Sequence, residues 1–270
     1  MAERSVPFAK RSFGQNFLVD KNYIEKIVRA VDPASEDVIV EIGPGRGALT
    51  GELLQHAGRI IAIELDRDMI AILNSAFEGK RNFQLLSADA LTVDHAELAR
   101  EAGRPLKLVA NLPYYISTAI LQRLIEFRHS FTEMILMFQR EVVDRIMAKP
   151  GSSDRGYLTV LVEAYFEVER LFDVPPSAFR PRPKILSSVI RLRPKPDLRA
   201  RSLEAFKRLV SAGFQQKRKT MQNNLRSSAE ALGLDPARIA GILLECGVEP
   251  IRRAETLTLS EWECLAAKLS

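Results

Sequence analysis

Two cysteines, three histidines and one tryptophan are all that 270 residues hold of those types. Cys246 and Cys264 have no C-x-x-C spacing, so neither a disulfide framework nor a zinc ribbon is expected, and a reducing compartment fits. His56, His95 and His129 are scattered without an H-E-x-x-H pattern, and no metal site is expected. Charge interrupts every apolar run well short of the roughly 20 residues of a membrane span, so a soluble protein is expected. Internal repeats and low-complexity tracts are missing too. The first ten residues are basic but hold no apolar core, and a functional-looking segment begins at Arg11. They read as a short arm on a cytoplasmic protein rather than a cleaved leader.

What is present is globular: 46% hydrophobic and 27% charged, with a net charge of +5 that leans toward a polyanionic partner. Asp20 is placed to cap a helix whose apolar positions Ile24, Ile27, Val28 and Val31 fall on one face. A strand–helix rhythm follows. Strands are expected at 38–42, 60–64, 83–86, 106–110 and 134–138, and helices at 48–56, 67–77, 118–127 and 141–147. Strands apolar throughout and alternating with helices predict an α/β fold with a mainly parallel sheet covered on both faces. Their polar ends Glu64, Asp89 and Asn111, and the glycine turn after the first strand, then share one edge, where such sheets bind ligands. Beyond Pro150 two longer strands are expected, at 158–168 and 185–192, joined by a proline-rich loop over 169–184. From about residue 199 the pattern is helical only. Leu203, Phe206, Leu209 and Val210 make one stripe, and Ser260 with Glu263 reads as a capping box.

Gly43-Pro44-Gly45-Arg46-Gly47 between a strand and a helix lets backbone approach a ligand closely. A tight turn that binds nothing and a dinucleotide site are the alternatives. Two residues favour S-adenosylmethionine (SAM) over NAD. Glu41 precedes the turn, where a carboxylate can serve the methionine ammonium or order the loop, and Asp89 is placed to meet the adenine amine. Glu64 suits a ribose diol with either ligand.

Asn111-Leu112-Pro113-Tyr114 is the sharpest feature. A strand ending in Asn-x-Pro-aromatic sets an amide oxygen and a main-chain carbonyl beside a ring that can stack, which suits the exocyclic amine of a planar base. The lone pair of that amine is delocalised into the ring. Two acceptors, Asn111 Oδ1 and the Leu112 carbonyl, favour the more pyramidal nitrogen and stabilise the positive charge that develops on it. Tyr114 would stack on the base and fix its plane. An ordinary Asn-capped turn is the plain alternative.

With these motifs the chain resembles the small-subunit (16S) ribosomal RNA adenine N6,N6-dimethyltransferases of the KsgA type along nearly its whole length. The resemblance rests on Phe13-Gly14-Gln15-Asn16-Phe17-Leu18, on residues 41–50 and on Asn111-Leu112-Pro113-Tyr114. It continues through Phe138-Gln139-Arg140-Glu141-Val142, residues 175–184 and Phe214-Gln215-Gln216-Lys217-Arg218-Lys219-Thr220. Tyr115 stands where members often carry Asn, and Ile185 where Val is common. The resemblance implies a Rossmann-like methyltransferase core with a seven-stranded sheet and SAM as methyl donor. It places Asn16, Leu18, Gly43, Glu64, Asp89 and Asn111 around the cofactor, with the N-terminal arm (1–20) folded over it. The implied reaction is the transfer of four methyl groups to two adjacent adenines near the 3′ end of small-subunit rRNA.

Phe179, in the proline-rich loop, reads either as a loop anchor or as a second aromatic face that sandwiches the extruded adenine with Tyr114. Between Arg191 and Arg226, eleven basic residues stand against Asp197 and Glu204, a net +9 in a chain of +5. A solvated helix face is the plain reading. An RNA-backbone footprint that includes Arg191, Lys207, Arg208, Lys217, Arg218 and Lys219 is the functional one. The expected organisation is a SAM-binding domain over 1–197 and a small all-α, RNA-contacting domain over 198–270. The expected protein is a monomer acting on the pre-30S subunit. A large-subunit adenine methyltransferase, a non-catalytic RNA-binding assembly factor and a Rossmann dehydrogenase are the competing readings. The last of these lacks a candidate hydride-site base or cation.

Overall fold

The computed structural model describes residues 16–112, 116–196 and 202–268. In chain order the elements are β1 (Phe17–Leu18), α1 (Lys21–Val31), β2 (Val38–Ile42), α2 (Ala48–Leu53), β3 (Arg59–Glu64), α3 (Arg67–Ala76), β4 (Phe83–Ser87), α4 (His95–Ala102), β5 (Leu106–Asn111) and α5 (Ser117–Glu126). They continue with β6 (Phe131–Gln139), α6 (Arg140–Ile146), α7 (Tyr157–Tyr165), β7 (Phe166–Val174), β8 (Phe179–Arg180) and β9 (Ser187–Pro194). Five helices follow: α8 (Leu203–Phe214), α9 (Met221–Ser227), α10 (Ala229–Leu232), α11 (Ile239–Glu245) and α12 (Leu259–Lys268).

The sheet has seven strands in the order β4-β3-β2-β5-β6-β9-β7. β4 through β6 are joined by parallel pairings, and β9 runs antiparallel to β6. The chain walks outward from β2 to β4 and then restarts on the other side of β2 with β5. The switch point therefore lies between the carboxyl ends of β2 and β5. Asp20 caps α1 as expected, its Oδ1 accepting from the Asn22 N–H at 2.9 Å. On one face of the sheet, Ile24, Ile27 and Val31 of α1 pack with Leu49 and Leu53 of α2 against Ile39, Ile60, Val109, Ile135, Met137 and Val189. Side chains alternate along a strand, so Glu41 follows Ile39, and Asn111 follows Val109, onto this same face. Glu41 pairs directly with Val109 in the ladder.

Several expectations need correction. Residues 158–168 are not one strand: Tyr157–Tyr165 is a helix and the strand begins at Phe166. Leu158 to Tyr165 is apolar nearly all round, and a helix buried on most sides carries no periodicity to separate it from a buried strand. The proline-rich loop is correspondingly shorter, because β7 runs to Val174. The α4 helix went unread, although Asp94 accepts from the N–H groups of Ala96 and Glu97 at its start. The capping box of α12 is Thr258 with Glu261, not Ser260 with Glu263: the Thr258 N–H donates to Glu261 Oε2 at 2.7 Å, and the Glu261 N–H donates back to Thr258 Oγ1 at 3.3 Å. Cys246 and Cys264 are joined in a disulfide, with Cα atoms 5.6 Å apart. Absence of a C-x-x-C pattern carried no information about two cysteines that α11 and α12 bring together.

The chain divides into two compact units. One holds the described residues up to Val143 with Glu169–Pro194; the other holds Asp144–Val168 with the described residues from Lys195 onward. The helical unit is thus discontinuous in sequence. The expected boundary at 197/198 lies outside the described residues, close to where the second unit resumes, but that unit also takes α7, which the sequence placed in the SAM-binding domain.

Candidate active site

A cavity of about 510 Å³ opens at the switch point, within the size range of small-molecule sites. Asn16, Leu18, Glu41, Gly43, Gly45, Glu64, Asp89, Asn111, Leu112 and Phe179 all line it. Pro113 and Tyr114, the rest of the Asn-x-Pro-aromatic motif, lie outside the described residues, as does Tyr115.

The glycine turn takes the left-handed backbone at Gly43, Gly45 and Gly47, with φ of 68°, 56° and 78°. At Gly45 the need for glycine is steric as well: a β-carbon there would lie 2.9 Å from Phe17 Cδ1. Glu41 is buried under this turn, and the Thr50 hydroxyl from α2 donates to its Oε2 at 2.6 Å. Burial pushes the Glu41 carboxyl up to about 7 against that hydrogen bond, and the charge of Glu64 adds to the rise. Glu64 closes β3. Its Oε1 accepts from the Leu65 and Asp66 N–H groups, both at 2.9 Å, and its Oε2 accepts from the Gly45 N–H at 3.3 Å. Burial raises this carboxyl too, and those three N–H groups oppose the rise. Asp89, beyond β4, uses Oδ1 to accept from the Leu91 N–H at 2.9 Å.

Asn111 ends β5, and its Nδ2 donates to the Asn16 carbonyl at 3.3 Å. A carbonyl can only accept, so the amide nitrogen must face the arm and Oδ1 must face the other way. Leu112 is buried, and its N–H donates to the Met137 carbonyl at 3.3 Å. Phe179 is 1% exposed and belongs to the same apolar cluster as Leu18, Val174 and Ala178 while forming part of the cavity wall. Its burial supports the anchor role, and its place in the cavity wall supports the stacking one.

Three residues of the wall went unread. Leu65 is 53% exposed beside Glu64, an apolar surface suited to one face of a purine. Phe17 and Arg46 pair across the glycine turn, with the guanidinium carbon 4.7 Å from the ring centroid. The exposed apolar residue directly after the strand-end acid was a usable signal for Leu65. Nothing local marked Phe17.

Among the described residues around this cavity, five carboxylates (Glu25, Glu41, Glu52, Glu64 and Asp89) face two cations (Lys21 and Arg46). Such a wall repels a dinucleotide diphosphate and suits a cationic cofactor carrying a diol and an amine. The residues therefore fit SAM. Among the described residues no group of His, Cys, Asp and Glu could hold a metal ion.

Of the six basic side chains read as an RNA footprint, two are largely buried and ion-paired. Arg191 is 19% exposed, its Nε 3.3 Å from Glu133, its Nη1 2.9 Å from Glu169, and its Nη2 donating to the Ala30 carbonyl. Lys207 is 14% exposed and pairs with Glu204 at 3.0 Å. Arg208, Lys217, Arg218 and Lys219 are exposed, and Lys217 also donates to the Ser153 carbonyl.

The profile of the family described as Ribosomal RNA adenine dimethylase matches residues 8–264. The chain belongs to this family. Among curated relatives, the Ribosomal RNA small subunit methyltransferase A of Laribacter hongkongensis is 46% identical over 265 residues, covering 97% of this chain and 96% of its own. That of Pelotomaculum thermopropionicum is 42% identical over 269 residues, covering 95% and 90%. Among solved structures, a dimethyladenosine transferase from Plasmodium falciparum superposes with a TM-score of 0.78 at 26% identity, over 92% of this chain and 95% of that one. The 23S rRNA methyltransferase ErmE superposes with a TM-score of 0.68 at 25% identity, over 94% and 99%. The fold is the Rossmann-like methyltransferase core that the sequence led one to expect, and this member of the family is a SAM-dependent rRNA adenine dimethyltransferase. The dehydrogenase reading is set aside.

Proposed function

We propose that this protein dimethylates N6 of two adjacent adenines near the 3′ end of small-subunit rRNA, acting as a cytoplasmic monomer on the pre-30S subunit. The observation that carries the reading is the orientation of Asn111. Its Nδ2 is committed to the Asn16 carbonyl, which leaves Oδ1 as the acceptor at the switch point. An exocyclic amine offers two N–H groups and a delocalised lone pair, so an acceptor, not a base, is the group the reaction needs there.

In this reading Asn111 Oδ1 and the Leu112 carbonyl accept from the adenine amine and stabilise the charge that grows on its nitrogen. Tyr114 and Phe179 hold the plane of the extruded base. Phe179 reaches the base from the cavity wall while its opposite side keeps the Leu18 contact. SAM supplies an electrophilic methyl group on a sulfonium. Glu64 receives the ribose diol, Asp89 the adenine amine, and Glu41 and the glycine turn the methionine end, with Asn16 and Leu18 covering it. Arg208, Lys217, Arg218 and Lys219 are the proposed contacts to RNA phosphates.

A large-subunit substrate is the second reading, supported by the ErmE superposition. The greater identity of the small-subunit relatives over nearly the full chain favours the first. Incubation with labelled SAM and undermethylated small subunits, followed by mapping of the modified bases, tests it. Label at two neighbouring adenines near the 3′ end is expected; label only on large-subunit RNA, or on neither, refutes it.

A further inference from the structure

Residues 16–18 make contacts on three sides. Asn16 accepts from Asn111 Nδ2 through its carbonyl. The Phe17 ring rests on the α-carbon of Gly45, where a β-carbon would come within 2.9 and 3.0 Å of its Cδ1 and Cε1, and Arg46 sits over the ring at 4.7 Å. Through the backbone, Phe17 pairs with Arg180 and Leu18 with Phe179 in the antiparallel β1–β8 ladder. The Val19 N–H extends that ladder to the Ala178 carbonyl at 2.9 Å.

A ladder two residues long is marginal by itself. Leu18 anchors the strand in the apolar core, and among the described contacts of β1 the Phe17 ring is the piece that grips the glycine turn. We propose that Phe17 is a positioning residue: wedged between the glycine turn and β8, it holds the Asn16 carbonyl at the distance that orients the Asn111 amide. The order of the cofactor turn and the polarity of the amine-binding group are thereby set together. The proposal rests on the assignment of Asn111 as the acceptor for the target amine.

The chemistry makes orientation decisive. The torsion that turns an asparagine amide is close to two-fold, so its two faces differ little in shape. They differ completely in function. With Nδ2 toward the arm, the amide offers an acceptor to the adenine amine; rotated by half a turn, it offers two donors to a group that is itself a donor. A single carbonyl decides between the two, and the Phe17 ring sets that carbonyl against the glycine turn while Leu18 and the ladder hold the rest of β1.

The test uses the full chain on undermethylated small subunits, with Phe17→Ala, Phe17→Leu and Phe17→Tyr beside the wild type. Phe17→Ala is expected to lower kcat about tenfold, the scale of one lost orienting hydrogen bond, and to raise KM for SAM less than that. The thermal midpoint is expected within about 2 °C of wild type, because Leu18 carries the burial of β1 in the core and Phe17 is only partly buried. Phe17→Leu, which keeps apolar bulk without the ring and folds even if the alanine variant does not, is expected to fall between. Phe17→Tyr, which keeps the ring, is expected to recover most of the lost rate. A Phe17→Ala enzyme with wild-type kcat overturns the proposal. So does a rate loss equal in all three variants, or one that follows the thermal midpoint. A wild-type enzyme that methylates no small-subunit adenine refutes the assignment of function and takes the positioning role with it; failure of the Phe17 series alone refutes only the latter.

Discussion

Glu41→Gln is expected to make the ligand-free protein more stable and the enzyme worse. Glu41 is 3% exposed, with one hydrogen bond from Thr50, and its carboxyl is raised from 4.5 to about 7. A raised acid holds its proton longer when folded than when unfolded. It is therefore harmless to stability below pH 4.5, increasingly costly as pH climbs toward 7, and levels off above that. At 1.36 kcal/mol per pH unit, the cost is about 2 kcal/mol at pH 6 and about 3 kcal/mol at pH 8. Glutamine keeps an oxygen for the Thr50 hydroxyl and carries no charge. Urea unfolding of the ligand-free protein is then expected to show the variant more stable by about 2–3 kcal/mol at pH 8 and by under about 1 kcal/mol at pH 5. Calorimetric titration with SAM is expected to show weaker binding by the variant, because in the proposed site the methionine ammonium loses its counter-charge. A stability difference that does not change with pH refutes the burial argument, and unchanged SAM affinity removes Glu41 from the cofactor site.

Asn111→Ala is expected to lower methyl transfer by about 10²–10³, the scale of removing one preorganised charge-stabilising group, while SAM still binds at reduced affinity; single-turnover rates and titration separate the two effects. Phe179→Leu is expected to lower turnover more than cofactor affinity; leucine is the useful substitution because truncating so buried a ring to alanine would cost about 3–5 kcal/mol of stability. An unchanged rate would leave Phe179 as an anchor alone. Arg218→Ala with Lys219→Ala is expected to weaken RNA binding uniformly across sequences and to reduce the salt slope by about two, measured by filter binding across a salt series. His95 is buried against Phe127 and Phe131 with neither ring nitrogen hydrogen-bonded. Burial, with a smaller contribution from the Arg123 charge, lowers it to about 4. The folded state thus refuses a proton that the unfolded state accepts below 6.5, and stability is lost as pH falls from 6.5 toward 4. His95→Leu is expected to flatten that limb by about 2 kcal/mol at pH 5, read from urea midpoints.

The β2–β6 part of the sheet was legible because its strands are rich in apolar residues and each runs on into a polar residue or the glycine turn. Those stops, at Glu64, Asp89 and Asn111, mark both the strand ends and the ligand edge. What local sequence could not show were facts that depend on distant partners. Arg191 looks like any basic residue of its cluster until β6 sets Glu133 beside it. Asn16 and Leu18 entered the site through family resemblance alone, since a two-residue strand carries no pattern, and Phe17 between them was overlooked for the same reason. The α7 helix failed for the opposite reason: its apolar surface is too complete to have a period. Cys246 and Cys264 were misread because the packing that joins them lies in helices whose arrangement the sequence did not specify.

The helical unit draws on two stretches of chain, and α7 contributes the earlier one. Tyr165 of α7 meets the ring of Phe206 on α8 edge-on at 5.9 Å, and Val160, Leu161 and Val162 beside it are buried. A stop codon near residue 200 would therefore not trim an appendage cleanly. It would leave an oily helix stranded mid-chain with its covering removed, and such a fragment would clump rather than survive as a lone catalytic domain. The proposed RNA contacts of this unit are therefore to be probed by changing surface charges, not by shortening the polypeptide.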